Sequence, residues 1–319
     1  MASLAKPFGL AFVVFSPDRT SLVPAPESVA SMRLGVVILP DRDWSQSSAD
    51  WQRAEELGFA HAWTYDHLTF GRLPDAPWHA AVPILAAAAL ATRRIRLGTL
   101  VATPNLRHPV PFAQELLTLD RLSGGRLIAG IGSGGKGPDS RALAYEAPTP
   151  MARAERFTEF TEILAALLRG DLVERQGHFY EVGRARLRLP SAQPAVPLLV
   201  AATGPRGINL AARHAAIWAT SGPDGEPRSM VEAEPALREQ SHRLDDACAA
   251  VGRDPSTIDR LLMTGTRIRD DLVSVDAFTD IAGRAREIGF TDLVVHWPRS
   301  QDPFRADTDV LERIAANFL

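Results

Sequence analysis

The sequence predicts an α/β fold, a (β/α)8 TIM barrel with a hairpin insertion before the fifth strand, and three observations carry that expectation. Short β-rich runs recur from Met32 onward, at 34–39, 61–65, 95–101, 126–132, 197–202, 216–221, 260–265 and 292–297. Longer stretches with helical periodicity separate them, as every crossover between parallel strands requires. The most Gly-rich and polar pieces of the chain fall where these runs end, and the carboxyl ends of the strands are where such barrels place their sites. An open doubly wound sheet is the alternative that the same alternation allows.

In chain order, residues 1–31 come first. "KPFGLAFVVF" has the outline of a weak secretion signal, but its apolar part is short and "SPDR" interrupts it. Met32 stands directly before the first strand-like run, "RLGVVIL". Residues 1–31 are therefore expected to form an N-terminal extension outside the fold, with 32–319 as a single domain. "AAVPILAAAALA", 80–91, is too short to cross a bilayer and reads as a buried helix. Phe157, Phe160, Ile163, Leu164, Leu167 and Leu168 repeat at helical spacing, as do Phe278, Ile281, Ala282, Ala285 and Ile288, and then Val310, Leu311, Ile314, Ala315 and Phe318. One stretch breaks the rhythm. "GDLVERQGHFYEVGRARLRLPSAQPAVP", 170–197, contains two strand-like runs before the fifth core strand and reads as a hairpin over one end of the barrel.

Composition narrows the function. With 45% hydrophobic and 23% charged residues the chain has ample material for a core. A formal net charge of −3 provides no broad cationic surface, which argues against nucleic acid or an anionic membrane as partner. The single cysteine, Cys248, forms no intrachain disulfide, and no Cys/His cluster has zinc-ligand spacing, so a cytoplasmic protein without a structural metal is expected.

Four strand ends carry candidate chemistry. "YDHL" sets Asp66 beside His67, either a proton donor and acceptor near neutral pH or a loop held by ordinary hydrogen bonds. "GIGSGG", 130–135, matches the dinucleotide fingerprint in letters alone. It follows the fourth strand and runs into "KGPD" rather than opening a helix after a first strand, so what survives is a loop whose backbone approaches a flat ligand closely. "ATGPRG", 202–207, is a strand end running into a helix start, where free N–H groups and Arg206 suit a phosphate; an ordinary βα turn is the plain reading. "RHP", 107–109, places Pro109 at a helix start, with His108 either structural or facing substrate. Trp63, Trp78, Trp218 and Trp297 either line a flat pocket or belong to the core.

Taken together, "AEELGFAHAWTYDHL", "IRLGTLVATPNLRHPVPFAQELLTLDRLSGGRLIAGIGSGG" and "PLLVAATGPRGINLAARHAAIWATSG" resemble the bacterial luciferase-like monooxygenase superfamily, from Arg33 to about Leu311. The resemblance implies a (β/α)8 barrel, usually a homodimer, holding a flavin or deazaflavin at its strand ends. "DHL" rather than "EHH" after the second strand is more similar to the branch that uses coenzyme F420 than to the one that uses FMN. In that branch a non-proline cis peptide falls between Leu100 and Val101, and Asp66, Thr103, Ser133, Gly134, Thr203, Gly204, Arg206 and Gly207 match cofactor contacts, the last four around the phosphate. His67 matches the residue that handles a proton, here expected to work with Asp66. Sugar-phosphate dehydrogenases of the group carry Glu where this chain has Gly135, which speaks against glucose 6-phosphate as substrate. The resemblance thus implies an F420-dependent enzyme moving hydride to or from a small organic substrate. The alternatives are an FMN-dependent monooxygenase using oxygen and a non-catalytic flavin-binding protein.

Overall fold

The computed structural model describes residues 32–135, 137–143, 149–226 and 228–319. The expected extension at 1–31 lies outside the described residues, as do Lys136, 144–148 and Pro227.

Among the described residues, eight strands close into a barrel: β1 (Arg33–Val37), β2 (His61–Thr64), β3 (Arg96–Thr99), β4 (Leu127–Gly132), β7 (Leu198–Ala201), β8 (Ile217–Thr220), β9 (Asp259–Met263) and β10 (Asp292–His296). Every pairing in the barrel is parallel, and the first strand meets the last, with Leu34 opposite Leu293 and Val37 opposite His296. Each run read from the sequence overlaps one of these strands, with β1 and β9 beginning one residue before their runs. The two remaining strands, β5 (Val173–Gln176) and β6 (Glu181–Ala185), form the antiparallel hairpin expected before the fifth core strand. It lies against α5 (Pro150–Leu168), where the Glu159 carboxylate accepts the backbone N–H groups of His178, Phe179 and Tyr180, at 2.9, 3.0 and 3.1 Å, and so ties the hairpin turn to the helix.

The helices cover the outside: α1 (Trp44–Glu56), α2 (Ala81–Ala91), α3 (Pro109–Ser123), the short α4 (Pro138–Ala142), α5, α6 (Pro205–His214), α7 (Met230–Ala250), α8 (Val275–Ile288) and α9 (Thr308–Phe318). The apolar faces predicted for α5, α8 and α9 are buried, with Phe318 packed at the edge. α2 departs from its expectation, because Ala81, Ile84, Leu85, Ala88 and Ala89 are buried while Leu90 is 72% exposed. Its uniform apolarity conceals which face turns inward. No helix among the described residues is long and apolar enough to cross a membrane.

Strand residues alternate between two clusters, as a period of two demands. Val36, Ala62, Leu97, Val200, Leu262, Leu293 and Val295 meet the helices, whereas Val37, Trp63, Ile128, Leu199, Ile217, Leu261 and Val294 fill the interior. The indole of Trp63 fits there because the residue opposite it on β3 is Gly98. A Cβ at Gly98 would stand 2.5 Å from Trp63 Cζ3 and 2.4 Å from the Ile128 carbonyl oxygen. Trp63 Nε1–H donates to His61 Nδ1 at 2.6 Å, which leaves His61 Nε2 to meet Asp292 Oδ1 at 3.0 Å. Asp292 also accepts from Arg33 Nε and Nη2, at 2.8 and 2.7 Å. Burial alone would raise the Asp292 carboxyl; the hydrogen bonds from His61 and Arg33 overcome it and hold the group well below the ordinary carboxylate range.

Gly98→Ala should therefore destabilise the barrel by about 3 kcal/mol, since neither the Ile128 carbonyl nor the packed indole has room to move. Equilibrium unfolding in urea measures this, and a loss below about 0.5 kcal/mol would contradict the packing described.

Candidate active site

The sequence-predicted residues come from β2, β3, β4 and β7, four consecutive staves of the barrel, so closure gathers their ends on one side of the mouth. At the far stave, the turn after β7 enters α6 through Gly204, which supplies no side-chain cap, and the first helical turn contains no acid. Its leading N–H groups and the positive end of the helix dipole are free for an anion. Thr203, Gly204, Arg206 and Gly207, with Ser133 from the end of β4, line a cavity of about 550 Å3. Gly207 is required there by close packing, because a Cβ would sit 2.6 Å from that of Ala202.

Between these staves lies the end of β3. The Leu100–Val101 peptide is cis, as the resemblance implied, and both side chains pack with the barrel interior. Gly132 at the end of β4 fits flush against it, since a Cβ there would meet Val101 Cγ2 at 2.6 Å. Thr103 Oγ1 accepts the Asn105 N–H at 3.3 Å, and Asn105 Nδ2 donates to the Gly135 carbonyl at 3.2 Å. Gly134 has φ +68°, in the left-handed region, and a Cβ on it would collide with the Asn105 amide at 2.8 Å. Asn105 thus joins the β3 loop to the β4 loop, and Arg156 of α5 in turn bonds its side-chain oxygen.

Asp66 and His67 face different partners. Arg107 forks onto Asp66, with Nε to Oδ2 at 2.9 Å and Nη2 to Oδ1 at 2.7 Å. The side chains are 4% and 16% exposed, so the pair is largely out of water. His67 Nδ1 instead lies 2.7 Å from Asp139 Oδ2. Asp66 and His67, expected to work together, thus meet different partners, because neighbours on an extended segment point to opposite sides. Phe70 stacks on the His67 ring, 5.6 Å between centroids at 27°, and Trp78 adjoins it at 6.2 Å. Trp78 is thus the tryptophan at the site. Trp63, Trp218 and Trp297 are buried in the core, and His108 caps α3 by accepting the Val110 N–H at 3.3 Å.

Beside His67, towards β10, the mouth holds groups the sequence reading missed. The Tyr65 hydroxyl lies 2.6 Å from His296 Nε2, and Phe304 lies flat on the His296 ring, 3.5 Å between centroids at 5°. Burial, helped by Arg72, pushes His296 down to about 3, and burial raises the Tyr65 phenol well above its usual range, so the pair is neutral at physiological pH. Nearby, burial pushes Asp271 up to about 6 from an ordinary 3.8, although the Thr264 hydroxyl lies 2.7 Å from Oδ2. Tyr65 follows β2, Thr264 follows β9, His296 ends β10, and Asp271 and Phe304 lie in the loops after β9 and β10; His296 and Asp271 line a second cavity of about 920 Å3. Only their positions after apolar strands hinted at them; the pairing is entirely spatial.

Two predictions follow from the charges. Because the folded state raises Asp271, it binds that proton more tightly than the unfolded chain, and the associated stability is present at low pH and lost as pH rises through about 6. Asp271→Asn should therefore gain about 2 kcal/mol on the wild type between pH 4 and pH 8, read from paired denaturant curves; parallel curves would remove the effect. Arg107→Leu leaves Asp66 buried and unpaired, and should cost about 3 kcal/mol of stability by the same measurement.

The comparisons with known proteins agree with this geometry. The luciferase-like monooxygenase family model matches residues 32–283. An F420-dependent glucose-6-phosphate dehydrogenase of Beutenbergia cavernae is 39% identical over 161 residues, covering 50% of this chain and 47% of that enzyme, so the match spans about half of that relative's length. An F420-dependent hydroxymycolic acid dehydrogenase of Mycobacterium tuberculosis is 28% identical over 311 residues, covering 94% of this chain and 79% of the other. The solved structure of an F420-dependent secondary alcohol dehydrogenase superposes with a TM-score of 0.76 at 18% identity, covering 91% of this chain and 98% of its own, a likeness of fold. Barrel, cis peptide, strand-end loops and family match converge, and the chain belongs to the luciferase-like monooxygenase family.

Proposed function

We propose that this chain is an F420-dependent oxidoreductase acting on a small organic substrate, with His67 as the group that gives or takes the substrate proton. The uncapped start of α6, with Arg206 and the cavity of about 550 Å3 around it, is the observation that carries the reading. Such a helix start fits the phosphate-bearing part of a cofactor. Thr203, Gly204, Arg206 and Gly207 would hold that part, Ser133 and Gly134 would border it, and Leu100 and Val101 would support the ring from the β3 side. The relatives named above that depend on F420 support this choice over FMN. The bound deazaflavin supplies the hydride-transfer centre.

The protein's own part is orientation and one proton. In the direction of alcohol oxidation, the substrate hydroxyl proton passes to the ring nitrogen of His67 that Asp139 leaves unpaired; in reduction, the same nitrogen returns it. Asp66 takes no part in that transfer, because Arg107 occupies both its oxygens. It fixes the loop after β3 to the end of β2 and so contributes to the shape of the cofactor site. The walls beside His67 are Phe70 and Trp78, and no carboxylate stands at Gly135, which favours a small substrate with an apolar body over a sugar phosphate. The reading includes a cytoplasmic homodimer; the buried free thiol of Cys248 suits a reducing compartment.

Paired fluorescence titrations of the purified protein with F420 and with FMN test this. F420 is expected to bind at least about tenfold more tightly than FMN, and His67→Ala to retain that affinity within about twofold while losing about 100-fold in turnover of F420 with alcohols. Preference for reduced FMN, with oxygen consumed as product forms, would make the enzyme a monooxygenase and remove the hydride role.

A further inference from the structure

The loop after β4 lacks an acid at Gly135, where a Cβ would meet nothing within 4 Å and whose carbonyl is engaged by Asn105 Nδ2 and Ser140 Oγ, at 3.2 and 3.0 Å. Four residues further on, the same loop does deliver a carboxylate. Asp139 is the second residue of α4, which follows the Gly-rich turn directly. Its two oxygens divide their work: Oδ2 is 2.7 Å from His67 Nδ1, while Oδ1 accepts the backbone N–H groups of Leu68 and Thr69 at 2.9 and 3.2 Å. One side chain, 14% exposed, therefore grips both the imidazole and the chain immediately after it. The ring itself is 35% exposed, Phe70 stacks on it, and Nε2 has no hydrogen-bond partner among the described residues.

An ionised carboxylate only accepts hydrogen bonds. A neutral imidazole facing one must carry its proton on the nitrogen that faces it, which leaves the other nitrogen as a lone-pair acceptor. We propose that Asp139 is the positioning carboxylate of His67, holding the neutral ring as the Nδ1–H tautomer so that Nε2 is the nitrogen that exchanges a proton with the substrate hydroxyl. The proposal rests on the reading of His67 given above and names the residue that prepares it. Asp139 does not itself touch substrate. The hydrogen bonds to Leu68 and Thr69 give the carboxylate a fixed direction, so the ring inherits an orientation from the backbone rather than from its own rotamer preference.

The test reads the ring directly. Two-bond 1H–15N spectra of the full chain labelled on histidine nitrogen, above the pH at which the ring is neutral, identify the His67 signal by its loss in His67→Gln. The wild type is expected to show Nδ1–H in at least about tenfold excess, as a charge-assisted hydrogen bond of this kind sustains. Asp139→Asn, whose amide can donate to Nδ1, is expected to move the proton to Nε2, with F420 affinity by fluorescence kept within about twofold. A wild-type ring protonated on Nε2, or an unchanged tautomer in Asp139→Asn, would overturn the proposal. Should that variant fail to fold, the wild-type spectrum alone decides. The F420 titration is read separately: a protein that shows the expected tautomers but does not bind F420 loses the dehydrogenase reading and retains Asp139 as the group that sets the ring.

Discussion

Closure of the sheet is the constraint on which the rest of this molecule depends. With β1 paired to β10 and every strand parallel, all strand ends of one polarity lie on one rim, and each neighbouring pair of loops is forced into contact. The closure has its own chemistry. Arg33 on β1, Asp292 on β10 and His61 on β2 are linked by hydrogen bonds across three adjacent staves, and His61 in turn accepts from Trp63, the largest side chain of the barrel interior. The charged network and the apolar filling are therefore one structure. Gly98 makes it possible, since the indole occupies the space that a side chain on the opposite strand would need.

From that rim the site divides by the direction in which neighbouring residues point. Asp66 and His67 are adjacent in sequence yet serve different loops, one turned to Arg107 after β3 and the other to Asp139 after β4. The two carboxylates are consequently unlike in kind. Asp66 has both oxygens matched by a guanidinium in a nearly dry setting, which makes the pair a fixed strut whose breakage is expensive. Asp139 has one oxygen spent on backbone and one on an imidazole that remains partly in contact with water. The first environment encloses a charge pair; the second leaves the imidazole within reach of a molecule at the mouth.

Much of this was legible in the sequence, and the parts that were not share a cause. The strands could be read because their residues are buried on both faces, giving short apolar runs bounded by Gly and Pro. The turn "ATGPRG" could be read because its chemistry is local: the N–H groups, the glycines and Arg206 all belong to one short segment. Even the cis peptide was placed, through the resemblance rather than through any pattern of residue types. Arg107, Asp139 and His296 were passed over. Each acts on a residue far away along the chain: 41 positions separate Arg107 from Asp66, 72 separate His67 from Asp139, and 231 separate Tyr65 from His296. Periodicity carries no information about such pairs, and an Asp in a Gly-rich loop looks the same whether it faces water or an imidazole. Asp66 and His67 show the same limit, because adjacency in sequence does not determine which partner each side chain meets in space.

The rim that results is polar at one end and aromatic at the other. On the β7 side are an uncapped helix start and Arg206, and on the β2 and β10 side are Phe70, Trp78, Tyr65 and Phe304 around two imidazoles. The imidazoles differ in what their surroundings allow. His296 is fully enclosed, stacked on Phe304 and held neutral by burial, with the Tyr65 hydroxyl hydrogen-bonded to its Nε2, so it fills space and orders the phenol. His67 keeps a partly exposed ring, an anchored Nδ1 and an Nε2 without a hydrogen-bond partner among the described residues. Two histidines at one barrel mouth are thereby separated into an enclosed packing element and a partly exposed one, to which the proposed function gives the proton, by burial and by the partner each meets, not by residue type. Under the proposed function the asymmetry would favour one orientation of an extended anionic cofactor: its charged end would meet donors at α6, and its flat end apolar support at Leu100, Val101 and the aromatic wall.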